Sequence, residues 1–214
     1  NYKEVDDPSV TVQFQLVDHP NTYFLAWTTT PWTLPSNLAL MVGPEINYVK
    51  VRRGEKIYIL AEQRFEANFK GEGEIVGHVL GKELNGTRYV PLFPFFAERA
   101  KEGAFRMLLE DSVSVEDGTG VVHCAPAFGE IDFFVCKREN IEPVCPVDSN
   151  GHFTLEVPSY AGMLVKDADK EIIRDLKRQG SLFAAGTLRH RYPFCWRSDT
   201  PLIYKAVRTW FVSV

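Results

Sequence analysis

The chain has 214 residues, 45% of them hydrophobic and 24% charged, with a formal net charge of −4 at pH 7. That is enough apolar material to bury a core within one domain, read here as residues 1–214. No apolar run reaches membrane-spanning length, and an acidic balance excludes a protein that grips nucleic acid by charge alone. The N-terminus carries no signal-peptide pattern, so a cytoplasmic, membrane-free setting is expected.

In chain order, a first strand is predicted at 11–17, where apolar and polar residues partly alternate. A second at 23–27, YFLAW, is apolar and aromatic throughout. It runs into TTTPWTLPSN at 28–37, where Thr28, Thr29 and Thr30 meet Pro31, which cannot continue a strand ladder, and Pro35 follows. Hydroxyls held where a buried strand breaks into a rigid loop are well placed to face a ligand. Threonine is also an ordinary strand residue and proline a strand terminator, so this stretch alone leaves both readings open. Residues 48–51 and 56–61 read as a hairpin around Arg53-Gly54, followed by a short helix at 62–69 and a strand at 75–80.

The next informative stretch is GTGVVHCAPAFGEID at 118–132. Gly118 and Gly120 permit a tight turn, Val121 and Val122 form a short buried strand, and His123 closes it. Pro126 breaks that strand, and a helix opens near Gly129 and covers 133–137. Neither G-x-G-x-x-G nor Gly-Lys-Ser/Thr follows, which argues against a phosphate loop. The clearest helix is 167–179, with Ala168, Ile172, Ile173 and Leu176 on one face, acids at its start, Lys177 and Arg178 at its end, and Gly180 beyond. Many short strands with few helices indicate a mainly β fold, a β-barrel core with peripheral helices. Cys124, Cys136, Cys145 and Cys195 form no C-x-x-C pair, and His19, His78, His123, His152 and His190 are scattered, so no metal site is expected. Arg189, Arg191, Arg197, Lys205 and Arg208 gather near the C-terminal end, where a solvated face is the default.

TTTPWTLPSN, GTGVVHCAP and YPFCWRSDTPLIY together resemble the editing insertion of class I aminoacyl-tRNA synthetases, specifically the isoleucyl enzymes, over essentially the whole chain. The run VKDADKEII at 165–173 resembles the eukaryotic cytosolic type most. The resemblance implies the editing-domain fold shared by isoleucyl-, valyl- and leucyl-tRNA synthetases. It also implies a function: hydrolysis of the ester of mischarged Val-tRNA(Ile), with valyl-adenylate as a further substrate. No HIGH-like or KMSKS-like signature is present, so this stretch is not expected to activate an amino acid or charge a tRNA. It reads as a proofreading module of a larger enzyme, needing no cofactor of its own. Its expected partners are the tRNA 3′ end and the catalytic domain of the same chain.

Carried over by motif, Asp132 matches the family's essential carboxylate and is expected to pair with the substrate's α-ammonium group. The competing role for Asp132 is a cap for the helix that begins there. The neighbouring Ile131 departs from the acidic residue expected in many relatives. Thr28, Thr29 and Thr30 are expected at the ester carbonyl, the ribose and an attacking water. No Ser-His-Asp set is evident, so direct attack by water is the simpler chemistry. His123 is expected in the wall of the side-chain pocket, or else as a hydrogen-bonded core histidine. Asn37 is expected either at the adenosine or as a loop-stabilising residue, and Trp32 either at the pocket wall or in packing. A valyl-type module clearing Thr-tRNA(Val) and a silent module that only receives the tRNA end are the rival readings.

Overall fold

A computed structural model describes residues 1–207 and 209, so Arg208 of the basic group lies outside the described residues. Strand β1 (Tyr2–Gln15) leads into β2 (Thr22–Thr28), and a 3-10 helix (Pro31–Ser36) follows the three threonines. Next come β3 (Ala39–Val42), β4 (Asn47–Arg53) and β5 (Lys56–Ala61), then α1 (Phe65–Phe69) and β6 (Glu74–Leu80). After a stretch of turns the chain forms β7 (Arg106–Leu109), β8 (Val121–Cys124) and α2 (Glu130–Arg138). It ends in α3 (Val165–Arg178) and β9 (Leu182–Pro193).

Among the described residues, all nine strands belong to one sheet, curled into a half-barrel with few helices, as the many short strands imply. Its main path runs β6-β4-β5-β2-β8-β3-β7. β2 pairs antiparallel with β1 along one edge. The other edge is divided: Thr22 to Phe24 lie parallel to β5, and Trp27 lies parallel to Val122 of β8. Phe24, Leu25 and Ala26 are buried, which is why this segment is apolar without alternation.

Three strands are additions to the predicted set. β3 (ALMV) and β7 (RMLL) are short, mutually parallel and largely buried, so no period-two pattern marks them. β9 pairs with the N-terminal part of β1, from Tyr2 opposite Pro193 to Val12 opposite Leu182, so β1 extends nine residues before the predicted start and stops short of Val17. This two-stranded arm is largely solvated, with an exposed Glu4–Arg189 ion pair at 2.9 Å across it. Exposed charges and Pro8 hid it from a hydrophobic reading.

One core cluster lies under the sheet and α3, where Val165, Ala168, Ile172 and Leu176 are buried. A second joins Leu25, Val49, Val51, Tyr58, Leu60 and Phe69. At the junction leading into β8, Gly118 and Gly120 take positive φ (66° and 73°), the turn their spacing implies. Buried Tyr48 ties this turn down: its hydroxyl donates to the Gly120 carbonyl at 2.7 Å and accepts from Gly43 N–H at 3.0 Å. A Cβ on Gly120 would lie 2.4 Å from the Ala61 Cβ. Gly120→Ala is therefore expected to cost about 2–4 kcal/mol through clash and a left-handed φ together. Urea unfolding measures it, and a loss under 1 kcal/mol would mean that the β5–β8 junction relaxes freely.

Candidate active site

The site forms where β2 ends. Thr28 is its last residue, and Thr30 directly precedes the 3-10 helix. Thr30 N–H donates to Thr28 Oγ1 at 3.1 Å, and the two hydroxyls are 3.2 Å apart. Thr33, one turn on, donates its hydroxyl to the Thr30 carbonyl at 2.9 Å. Thr30 and Thr33 stand three residues apart across the first turn of the 3-10 helix, with their hydroxyls 3.4 Å apart, so the three oxygens converge.

Behind them runs a fixed relay. Tyr89 OH donates to Asn37 Oδ1 at 2.6 Å, and Asn37 Nδ2 donates to His123 Nδ1 at 2.8 Å. The amide nitrogen can only donate, so Nδ1 accepts and the imidazole proton sits on Nε2, where it is given to Thr33 Oγ1 at 2.9 Å. Burial holds the His123 pKa down to about 3, so the ring is neutral. His123 is thus hydrogen-bonded at both nitrogens and also borders a cavity.

Asp132 lies on the first turn of α2, whose cap residue is Gly129. Its carboxylate does not cap that helix. Oδ2 instead accepts the Ala125 N–H at 2.7 Å, fastening the loop after β8. Gly129 leaves room for it, since a Cβ there would come within 2.7 Å of the Asp132 carboxyl carbon. Burial raises the Asp132 pKa to about 6.

Two cavities meet at these groups. The larger, about 550 Å³, is lined by Thr28, Thr29, Ile131 and Asp132 together with Glu110, Glu116 and Asp117. The smaller, about 120 Å³, is lined by Thr28, Thr30, Thr33, His123, Phe128 and Asp132. Trp27, Thr28, Val122 and Asp132 border both. The fold therefore brings together Thr28, Thr29, Thr30, His123 and Asp132. It does not bring Asn37 or Trp32 to either cavity. Asn37 is buried with its amide bonded to Tyr89, His123 and the Ala39 carbonyl, the contacts of a loop-stabilising residue. Trp32 is buried edge-on against Phe128, with ring centroids 4.9 Å apart, and packs behind the small cavity.

Matches over the whole of this chain decide the family. An isoleucine–tRNA ligase of Protochlamydia amoebophila is 61% identical over all of this chain, which covers 21% of that protein. The cytoplasmic isoleucine–tRNA ligase of Mus musculus is 56% identical, again over the whole chain and 18% of the relative. This chain is a segment of the isoleucine–tRNA ligase family. It spans about one fifth of the length of these ligases. No family model matches the chain. Among solved structures, GlLeuRS-CP1 superposes with a TM-score of 0.66 at 14% identity, covering 84% of this chain and 98% of that one. The P. knowlesi cytosolic leucyl-tRNA synthetase editing domain gives 0.63 at 12% identity, covering 86% and 97%. At such identities the likeness is one of fold: this isoleucine–tRNA ligase segment has the editing-domain architecture.

Several site residues escaped motif reading. Thr33 lies inside the threonine motif but shows its role only once the 3-10 turn is known. Tyr89 is 52 positions from its partner Asn37, and no local signal links them. The acidic wall was visible as the run EDSVSVED at 110–117. Among the described residues no cluster of three metal-ligating side chains occurs, and no helix is long and apolar enough to cross a membrane. The four cysteines are free, with Cys124 and Cys136 buried and their sulfurs 3.5 Å apart. In the basic group, Arg189 pairs with Glu4, Arg191 lies over the Tyr2 ring and Lys205 donates to the Asp148 carbonyl.

The raised Asp132 pKa has a stability consequence of definite sign. The folded state holds this proton more tightly than the unfolded chain, whose carboxyl titrates near 3.8. The group's contribution is therefore most favourable below about 3.8 and is lost as pH rises through 6. Asp132→Asn, which keeps an oxygen for Ala125 N–H, is expected to raise Tm by roughly 2–6 °C at pH 7.5. The gain should shrink towards pH 4. Calorimetry of both proteins across that range checks it, and a lower Tm for the variant at pH 7.5 would contradict the burial argument.

Proposed function

We propose that the chain is the hydrolytic proofreading module of an isoleucine–tRNA ligase, cleaving Val-tRNA(Ile) and, as a further substrate, valyl-adenylate. The need is physical. Valine lacks one methylene of isoleucine, and burying that group contributes about 1 kcal/mol. A pocket built for isoleucine therefore rejects valine by roughly 10- to 200-fold, a general magnitude for which this very pair is the standard example. A second sieve, small enough to exclude isoleucine and able to hydrolyse what enters, supplies the rest.

The observation that carries the reading is Asp132, a half-buried carboxylate standing with Thr28 in the wall common to a small and a large cavity. Its charge pairs with the α-ammonium group and fixes the ester at the junction. The valine side chain enters the small cavity beside His123 and Phe128, and the terminal adenosine occupies the larger one. Hydroxyls of Thr28 to Thr30 meet the ester carbonyl, the ribose and the attacking water. Water oxygen bonds to the carbonyl carbon, the ester C–O bond breaks, and the ribose hydroxyl leaves with a proton. Valine and uncharged tRNA are the products. His123 is not the base: both its nitrogens are engaged, and burial opposes its protonation. The module needs no cofactor and works in one domain, in the cytoplasm. Its partners are the tRNA 3′ end and the catalytic part of the same ligase.

In the full-length ligase carrying this segment, Val-tRNA(Ile) should be cleared and Ile-tRNA(Ile) spared, and Asp132→Ala should slow clearance at least roughly 100-fold. Unchanged clearance in the variant would reduce Asp132 to a loop fastener. Preferential clearance of Thr-tRNA(Val) would mark a valyl-type pocket, and binding of an aminoacyl-adenosine analogue without turnover would mark a silent module.

The pH profile gives a separate check. Protonating Asp132 removes the charge that the ammonium needs, so kcat/KM should fall as pH drops through about 6. No inflection belonging to His123 should appear between pH 5 and 8. An inflection that persists in Asp132→Asn would assign the titration to another group.

A further inference from the structure

The threonines depend on how the 3-10 helix Pro31–Ser36 is held, and its first turn is not capped locally. Pro31 has no N–H to satisfy. Thr33 N–H bonds to the Thr30 carbonyl at 3.0 Å, and Thr30 makes no side-chain cap bond. That leaves Trp32 N–H as the donor in need of a partner. The acceptor comes from α3, 137 residues further along: Asp169 Oδ1, at 2.8 Å. Asp169 is 3% exposed and lines none of the cavities around the site.

Its surroundings compensate the charge only in part. Lys166 of its own helix favours ionisation, whereas burial and Asp7 of β1 oppose it. Asp7 is itself held between Lys166 Nζ and His190 Nε2, each at 3.0 Å. An apolar side chain in such a place would normally serve stability as well or better. What an apolar side chain cannot do is accept the Trp32 N–H, and an orphaned buried donor is unfavourable.

We propose that Asp169 is a positioning residue for the editing reaction. It caps the threonine helix from across the fold and so fixes Thr28 to Thr30 against Asp132. The inference rests on the editing reading given above. Asp169 touches no substrate and acts through the Trp32 amide, so its loss loosens the reacting geometry while the cavities keep their walls.

The test uses Asp169→Ala and Asp169→Asn in the full-length ligase. Asp169→Ala should lower kcat for Val-tRNA(Ile) hydrolysis roughly 10-fold or more with KM within about twofold, while Asn, whose amide oxygen still accepts the N–H, should recover most of the rate. Amide hydrogen exchange across 28–37 in this chain should quicken in the Ala variant and stay near wild type in the Asn variant. Unchanged kcat in Asp169→Ala, a loss confined to KM, or an Asn variant as impaired as Ala would overturn the proposal. If the Ala variant does not fold, Asp169→Glu keeps the charge but displaces the oxygen. A lower kcat there supports the cap and an unchanged one refutes it. A wild-type ligase that hydrolyses no mischarged tRNA would instead sink the editing reading, with the exchange data still reporting whether the cap exists.

Discussion

Everything at the site follows from one constraint on β2: a strand edge can pair with only one neighbour at each residue. β5 occupies that edge at Thr22 to Phe24, and β8 takes it over at Trp27. The sheet must part between them, and a parting sheet leaves concave space lined by strand ends. β2 stops at the parting, so its terminal threonine faces a cavity on either side. The turn through Gly118 and Gly120 lets β8 enter at that place, and Tyr48 pins the turn to the opposite side of the sheet.

A gap between strands has a cost, because backbone groups freed from the ladder still need partners when buried. Side chains far away in sequence supply them here. Asp132 takes the N–H of Ala125, and Asp169 takes that of Trp32. Both carboxyls lie largely out of water, and burial raises the pKa of each, to about 6 and about 7. The protein thus spends stability on two acids around one loop. One of them borders the cavities and the other does not, which separates a group that can meet a ligand from one that can only hold the loop.

How much of this was legible in the sequence varies with the range of the interaction. YFLAW and the hairpin strands β4 and β5 announce themselves because burial within a few residues sets their pattern. α3 was readable for the same reason, its apolar face and charged ends being local. β3 and β7 were not, since a short strand buried on both faces has no alternation, and the β1–β9 arm was not, since it has little apolar surface to bury. At the site, the threonines and Asp132 stood out through their motifs, whereas Tyr89 and Asp169 act on groups 52 and 137 positions away. Asn37 shows the reverse limit. Its motif position left a ligand contact and loop support both open, and its hydrogen bonds to Tyr89 and His123 lie 52 and 86 positions away, beyond the reach of a local pattern.

The charge pattern completes the physical account. The larger cavity is walled by Glu110, Glu116, Asp117 and Asp132 with no Lys or Arg among its lining residues, and the small cavity offers only neutral groups besides Asp132. Such a site repels phosphate and attracts an ammonium group. The neutral His123 serves the same discrimination. An imidazolium in the small cavity's wall would oppose any cation there, and burial, with both nitrogens bonded, keeps the ring uncharged. Size is then left to rigid neighbours: Phe128 against Trp32 on one side, and the locked imidazole and Thr33 on the other. These walls resist yielding because each donor in the relay behind them has an assigned acceptor.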